Sequence, residues 1–340
     1  MATLKFVGLR ADLNRIITGA INLPITKAIL NKEQVEVHAI VTGNDDLLQI
    51  ANDSKDPLNI RFMMDSTEIK MPRYINIGEC EKLTKSPRSI FLGDLIHNND
   101  SATLNYGVTE EAEKVVTGKY EKNILKNEKV TSSWISIFTQ NEIDNQVRFH
   151  IPKSNSIVLN DSHLFNKSDG NPGLLNLKEL FKVIMPKKSN HEFQITIITS
   201  SCNWSPSFAR DRMNLLLNFL KSVFDYPIFI ELVIWGKSKT DNHKRILVSN
   251  YYTVVSDYGF DVFNSAGMST GTNDILVRRI FHDVNQPGES PYHQSNFRLN
   301  LMRNTYFAAK DFCRNFNPVT GSIYLNTGDY EMQNRLLRKK

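Results

Sequence analysis

Between residues 155 and 235 the chain alternates short apolar runs with amphipathic ones: NSIVLND (155–161), NLKELFKVIMP (176–186), FQITIITSS (193–201), ARDRMNLLLNFLKSVF (209–224) and PIFIELVIW (227–235). The first, third and fifth are of strand length and apolar almost throughout, as strands buried on both faces are. The second and fourth carry apolar residues at helical spacing. Leu177, Leu180, Phe181 and Ile184 make one stripe, which stops at Pro186; Met213, Leu216, Leu217, Leu220, Val223 and Phe224 make the other. Strand, helix, strand, helix, strand is the grammar of a parallel α/β sheet with right-handed crossovers. Two later runs, RILVSNYYTVV (245–255) and DILVRRIF (274–281), have no helix between them and extend the sheet antiparallel. A late helix near NLMRNTYFAAKDFCRNF (300–316) follows. The expected fold class is α/β: over 150–320, a mixed and mostly parallel sheet with helices on both faces.

At 340 residues the chain is long enough for two domains. Residues 1–145 read as a separate, β-rich domain with strands at VEVHAIV (35–41), LNIRFMM (58–64) and SSWISIF (132–138). Polar, turn-prone segments such as NDSKDP (52–57) separate them. Residues 109–129 have the Glu, Lys and Ala content of a helix, interrupted at Thr117-Gly118. Residues 321–340, ending in RLLRKK, read as a basic tail.

The composition is that of an ordinary globular chain, 41% hydrophobic and 23% charged. No run approaches the roughly 20 apolar residues of a membrane span. The opening MATLKFVGLRADL lacks the pattern of a secretory signal, and a cytoplasmic location is expected. Cys80, Cys202 and Cys313 are odd in number and widely spaced, matching neither a disulfide framework nor a zinc site. No metal and no cofactor is expected. The formal net charge of +5 permits a polyanionic partner.

In open α/β sheets ligands bind beyond the carboxyl ends of the parallel strands. The expected ends are Asp161-Ser162-His163 and Thr199-Ser200-Ser201, and an antiparallel neighbour would begin on the same edge. There stand His243, Lys244 and Arg245, followed by Asn250, in the spacing H-x-R-x4-N. His243 and Arg245, two apart on one strand, share a face. The imidazole can attack phosphorus or take a proton, while the guanidinium offers bidentate hydrogen bonds to phosphate. Lys244, Ser200, Ser201 and Arg278 are further candidate phosphate ligands, with Asp161 and His163 as neighbouring edge residues. Asn250 follows His243 by an odd number of positions and reaches the site only through a bulge or bend.

The stretch 155–282 resembles the phospholipase D-like C-terminal domain of eukaryotic MIT-domain proteins that work with the ESCRT machinery, and its bacterial stand-alone relatives. The resemblance rests on the order of elements and on VLNDSHLF, ITIITSS, the His-x-Arg strand, DYGFDVF and the closing Phe281-His282. It implies that His243 matches a nucleophile or general acid, Arg245 a phosphate-holding lysine and Asn250 a carboxylate. Active members pair two such motifs; this chain carries one, so hydrolysis implies a homodimer. The expected function is recognition of a polyanion, nucleic acid first, with weak or no catalysis. The alternatives are a metal-independent dimeric phosphodiesterase or nuclease using His243, and a non-catalytic adaptor in a multiprotein complex such as a prokaryotic phage-defence assembly.

Overall fold

Strand β1 (Leu4–Leu9) runs without a linker into helix α1 (Arg10–Ile17), so the chain turns back over the sheet at once. Leu13 and Ile16 of α1 are buried with Phe6 and Val7 of β1. Gly8 makes room, since a Cβ there would lie 2.9 Å from Leu13. These elements belong to the computed structural model of the chain, which describes residues 4–20, 35–43, 45–64, 71–76, 78–79, 83, 89–92, 107–108, 119–130, 133–134, 154–164, 172–187, 189, 192–200, 206–235, 245–250, 252–280, 291–314, 321–325 and 334–337.

The first sheet continues with β2 (Val35–Ile40), α2 (Leu47–Ala51), α3 (Pro57–Met64), β3 (Arg73–Ile75), β4 (Ser89–Leu92) and β5 (Gly107–Val108). Its order is β3-β2-β1-β4-β5, and every pairing is parallel. This corrects two readings. The region is α/β in its described residues, and 58–64 is a helix where a strand was expected. Asp56-Pro57 explains the second correction. Asp56 Oδ1 accepts the Leu58 N–H at 2.9 Å, and Pro57 follows where a helix tolerates proline best.

The second sheet begins with β6 (Lys119–Ile124), from a segment expected to be helical. Its pairing with β12 outweighs helix propensity, and it brings residues before 145 into the second sheet. There follow β7 (Ser156–Asn160), α4 (Pro172–Ile184), β8 (Phe193–Ser200), α5 (Pro206–Val223), β9 (Ile228–Trp235), β10 (Arg245–Ser249), β11 (Tyr252–Ser256), β12 (Asn273–Arg279), α6 (Pro291–Arg314) and β13 (Gly321–Leu325). The strand order is β13-β9-β8-β7-β10-β11-β12-β6. Only β7–β8 and β8–β9 are parallel; every other pairing is antiparallel. The sheet is therefore mixed, with a parallel centre and antiparallel flanks, rather than mostly parallel. The β7-α4-β8-α5-β9 core and both helical stripes fall where the periodicity put them, except that Val223 is exposed. Helix α6, ~36 Å long at 1.5 Å per residue, packs on β9 and β13. Its Tyr306 hydroxyl donates to buried Glu231 Oε1 on β9 at 3.2 Å, and Thr196 Oγ1 of β8 donates to the other oxygen at 2.7 Å. Among the described residues no helix is long and apolar enough to cross a membrane.

Part of the expected basic tail is built into this sheet. Besides β13, residues 334–337 are buried at the amino ends of β7 and β8. Asn334 accepts from Ser156 Oγ at 2.7 Å and donates to the Ile157 carbonyl at 2.8 Å. The Arg335 N–H and Nε both donate to Gln194 Oε1, and Leu336 and Leu337 enter the core. Arg335 and the two leucines are internal because Gln194 and the apolar interior give each a partner.

Candidate functional site

Two strand ends meet at the carboxyl edge of the second sheet. Chain β7 ends at Asn160, and antiparallel β10 starts opposite it, with Ile246 paired to Asn160. This brings Asp161 and Arg245 to one edge, as the alternation of elements requires. Asp161 is fully buried. Its Oδ2 accepts the Phe260 N–H at 2.7 Å and its Oδ1 the His163 N–H at 2.9 Å. Burial pushes the Asp161 carboxyl above its ordinary range; those two N–H groups and the Arg245 charge pull against burial, while Asp261 adds to it. Arg245 Nη1 donates to the Asp257 carbonyl, and its buried Nε has no acceptor among the described residues. Gly259 is wedged between the two side chains at φ +103°.

Arg245 opens onto a cleft of about 360 Å³ between the sheet and α6. Its floor is one face of the antiparallel flank. Ile246, Val255 and Leu276 lie in one cross-strand row, and Thr253 and Arg278 are paired in the next. The opposite wall is the first turns of α6, with Gln294, Ser295 and Arg298. Arg278 Nη1 reaches Gln294 Oε1 at 3.4 Å, across the cleft. The cleft is thus lined by three arginines (Arg245, Arg278 and Arg298), three hydroxyl residues (Thr253, Ser256 and Ser295) and one acidic residue, Asp257. Guanidinium forks with few competing acids are the chemistry that selects phosphate or carboxylate. Among the described residues no three His, Cys, Asp or Glu side chains gather as a metal-ligand set.

The sequence-predicted residues divide as follows. Asp161, His163 and Arg245 stand at the carboxyl edge, Ser200 ends β8 on that edge, and Arg278 joins Arg245 in the cleft. His243, Lys244 and Ser201 lie outside the described residues. Asn250 lies beyond the far end of β10 from Arg245. There it is buried, and its Oδ1 accepts the N–H groups of Asn155 (3.1 Å) and Ser156 (3.0 Å) at the start of β7. The structure does not bring Asn250 to Arg245, because β10 is straight where a bulge or bend was needed. Asn250→Ala strands two buried donors, and a loss of about 2 kcal/mol in unfolding free energy is expected by urea titration.

Arg298 completes the cleft without belonging to any motif visible in the sequence. In the sequence, Ser290-Pro291 has the pattern of a cap residue followed by proline at a first helical position, which would have put Arg298 two turns into a helix. Also unforeseen is a largely buried network beside the first sheet, centred on Asp56, just before α3, and Arg10, the first residue of α1. Asp56 Oδ2 accepts from Arg10 Nε at 2.6 Å and from Asn14 Nδ2 at 3.3 Å, while Tyr74 donates to Oδ1 at 3.2 Å. Burial opposes the Asp56 charge, but the hydrogen bonds from Arg10 and Asn14 and the Arg10 charge hold the carboxyl below its ordinary value. Burial, with the nearby Asp56 charge, pushes the Tyr74 phenol up. Compared with protein-family models and with curated proteins, the sequence finds no match.

Proposed function

We propose that the Arg245–Arg278–Arg298 cleft is a phosphate-recognition site and that the chain binds a polyanion, nucleic acid first, through a phospholipase D-like domain. The observation that carries this reading is the meeting of three arginines from β10, β12 and α6, elements far apart in sequence, in the lining of one cleft. Surface arginines scattered for solubility have no reason to converge. The resemblance of 155–282 to phospholipase D-like domains supports the same chemistry. Binding, rather than turnover, is the activity proposed, since Asn250 is committed to backbone donors at the other end of β10.

The test is fluorescence anisotropy of a labelled oligonucleotide across a salt series, with EDTA present and the strands then run on a denaturing gel. Arg278→Ala is expected to weaken binding about tenfold and to make the slope of log K against log salt shallower by roughly 0.7–0.9. If the Arg245→Ala/Arg278→Ala double variant binds as tightly as the parent at every salt concentration, the cleft is not the site. Cleavage in EDTA that vanishes in His243→Ala would replace the binding reading with the dimeric phosphodiesterase.

A further inference from the structure

We infer that the unit this cleft recognises is a single nucleotide, its phosphate held by Arg278 and Thr253 and its base laid on the aliphatic row of Ile246, Val255 and Leu276; this rests on the polyanion reading above. At about 360 Å³ the cleft lies near the lower end of the roughly 300–1,000 Å³ typical of small-molecule sites, which is room for one such unit. Its floor is divided in two. Strand alternation turns Ile246, Val255, Leu276, Thr253 and Arg278 to one face, the three aliphatic residues in one cross-strand row and Thr253 paired with Arg278 in the next. Three strands at their usual spacing make the aliphatic strip roughly 10 Å across. A flat apolar strip beside a cation is what a base joined to its phosphate requires.

Thr253 is the residue that points to a ligand. It is only 6% exposed, it lies on the cleft floor, and its hydroxyl has no hydrogen-bond partner among the described residues. A hydroxyl buried without a partner costs folding free energy, which valine would avoid at nearly the same shape and with equal preference for strands. A bound phosphate supplies the missing partner. The cross-strand pairing brings the Thr253 and Arg278 Cβ atoms to within about 5.5 Å, close enough for one phosphate to meet both side chains. Arg278 is engaged only through Nη1, with Gln294 Oε1, so the rest of its fork is open to an anion. Arg298 and Ser295 line the wall across from it, on α6. Inorganic polyphosphate would set charges over the aliphatic row, which gains nothing from them. Helix α6 walls the strip and keeps it from the flat surface of a bilayer.

The experiment uses the full chain, with AMP, ribose 5-phosphate, inorganic polyphosphate and phosphatidylserine vesicles each competing against the labelled oligonucleotide in anisotropy. AMP is expected to displace the strand, and ribose 5-phosphate to be about tenfold weaker for want of a base to cover the aliphatic row. Thr253→Val should weaken AMP about tenfold without lowering the urea midpoint. Leu276→Ala should weaken AMP and leave ribose 5-phosphate unchanged. Equal displacement by AMP and ribose 5-phosphate would take the base off the aliphatic row and leave the polyanion reading standing. A strand held through Arg278 and Arg298 that AMP does not displace would likewise overturn the single-nucleotide unit alone. Parent-like affinity for AMP in Thr253→Val would overturn the phosphate seat. If Arg278→Ala/Arg298→Ala binds every probe as the parent does, the polyanion reading falls and this inference with it. Displacement by vesicles and not by AMP would overturn the inference in favour of a lipid phosphate.

Discussion

Gly259→Ala is expected to destabilise the second sheet by about 3 kcal/mol, the sum of a backbone forced into a disfavoured conformation and an overpacked site. At φ +103° an L side chain is already strained, and the added Cβ would meet Asp161 Oδ2 at 2.7 Å and Arg245 Cδ at 3.0 Å. Asp161 cannot swing aside without releasing the Phe260 and His163 N–H groups it satisfies. Arg245 can move, and that is the second consequence. Its guanidinium leaves the Asp257 carbonyl, and affinity for the proposed polyanion is expected to fall by more than the stability loss accounts for. Denaturant titration gives the first effect, and anisotropy at a temperature where the variant is fully folded gives the second. A variant with parent stability would mean that the 256–260 turn relaxes freely, and Gly259 would then not be what aligns Arg245.

Asp56→Ala should cost about 3 kcal/mol, toward the low end for breaking a buried ion pair because Arg10 keeps partial access to water. The substitution also removes the cap of α3 and leaves the Leu58 N–H without its carboxylate acceptor. The pH dependence has a definite sign. Asp56 is held below its ordinary value of 3.8 in the folded protein. Its contribution is therefore complete above that value and is lost as pH falls through the lower folded value. Asp56→Asn should accordingly be less stable than the parent at neutral pH, with the gap closing on acidification. The check is a pair of urea midpoints, one at neutral pH and one near pH 3. A gap that stays constant across that range would mean the carboxylate is not what stabilises the network.

The centre of the second sheet was legible because β7-α4-β8-α5-β9 is self-consistent at each level. Its strands are β-branched, its helices carry one stripe each, and Pro186 punctuates where it should. The carboxyl edge followed from that topology, and with it Asp161, His163 and Arg245. What escaped reading was set by partners distant in sequence. KYEKNI is a strand because β12 offers it an edge, which no local propensity encodes. LNIRFMM carries apolar residues that suit strand or helix, and only the Asp56-Pro57 cap decides between them. Asn250 falls at the motif's spacing, but in a strand of 5 residues that spacing carries it past the end opposite Arg245. Arg335 looked like tail charge, and only its contacts with Gln194 and Glu192, more than a hundred positions earlier, make it internal.

The segment 334–337 bears on how the chain is made. Asn334 bonds Ser156 across 178 positions and Arg335 bonds Gln194 across 141. The strands they close leave the ribosome long before they do. Until then the amino ends of β7 and β8 stand open, with the pocket for Leu336 and Leu337 unfilled. The second sheet is thus of high contact order and completes itself only after synthesis has passed residue 337, while the described strands of the first sheet are all made once synthesis has passed Val108. A nascent chain halted short of residue 334 would hold the arginine cleft's strands without the clasp that locks the opposite edge, and would be a natural client for chaperones.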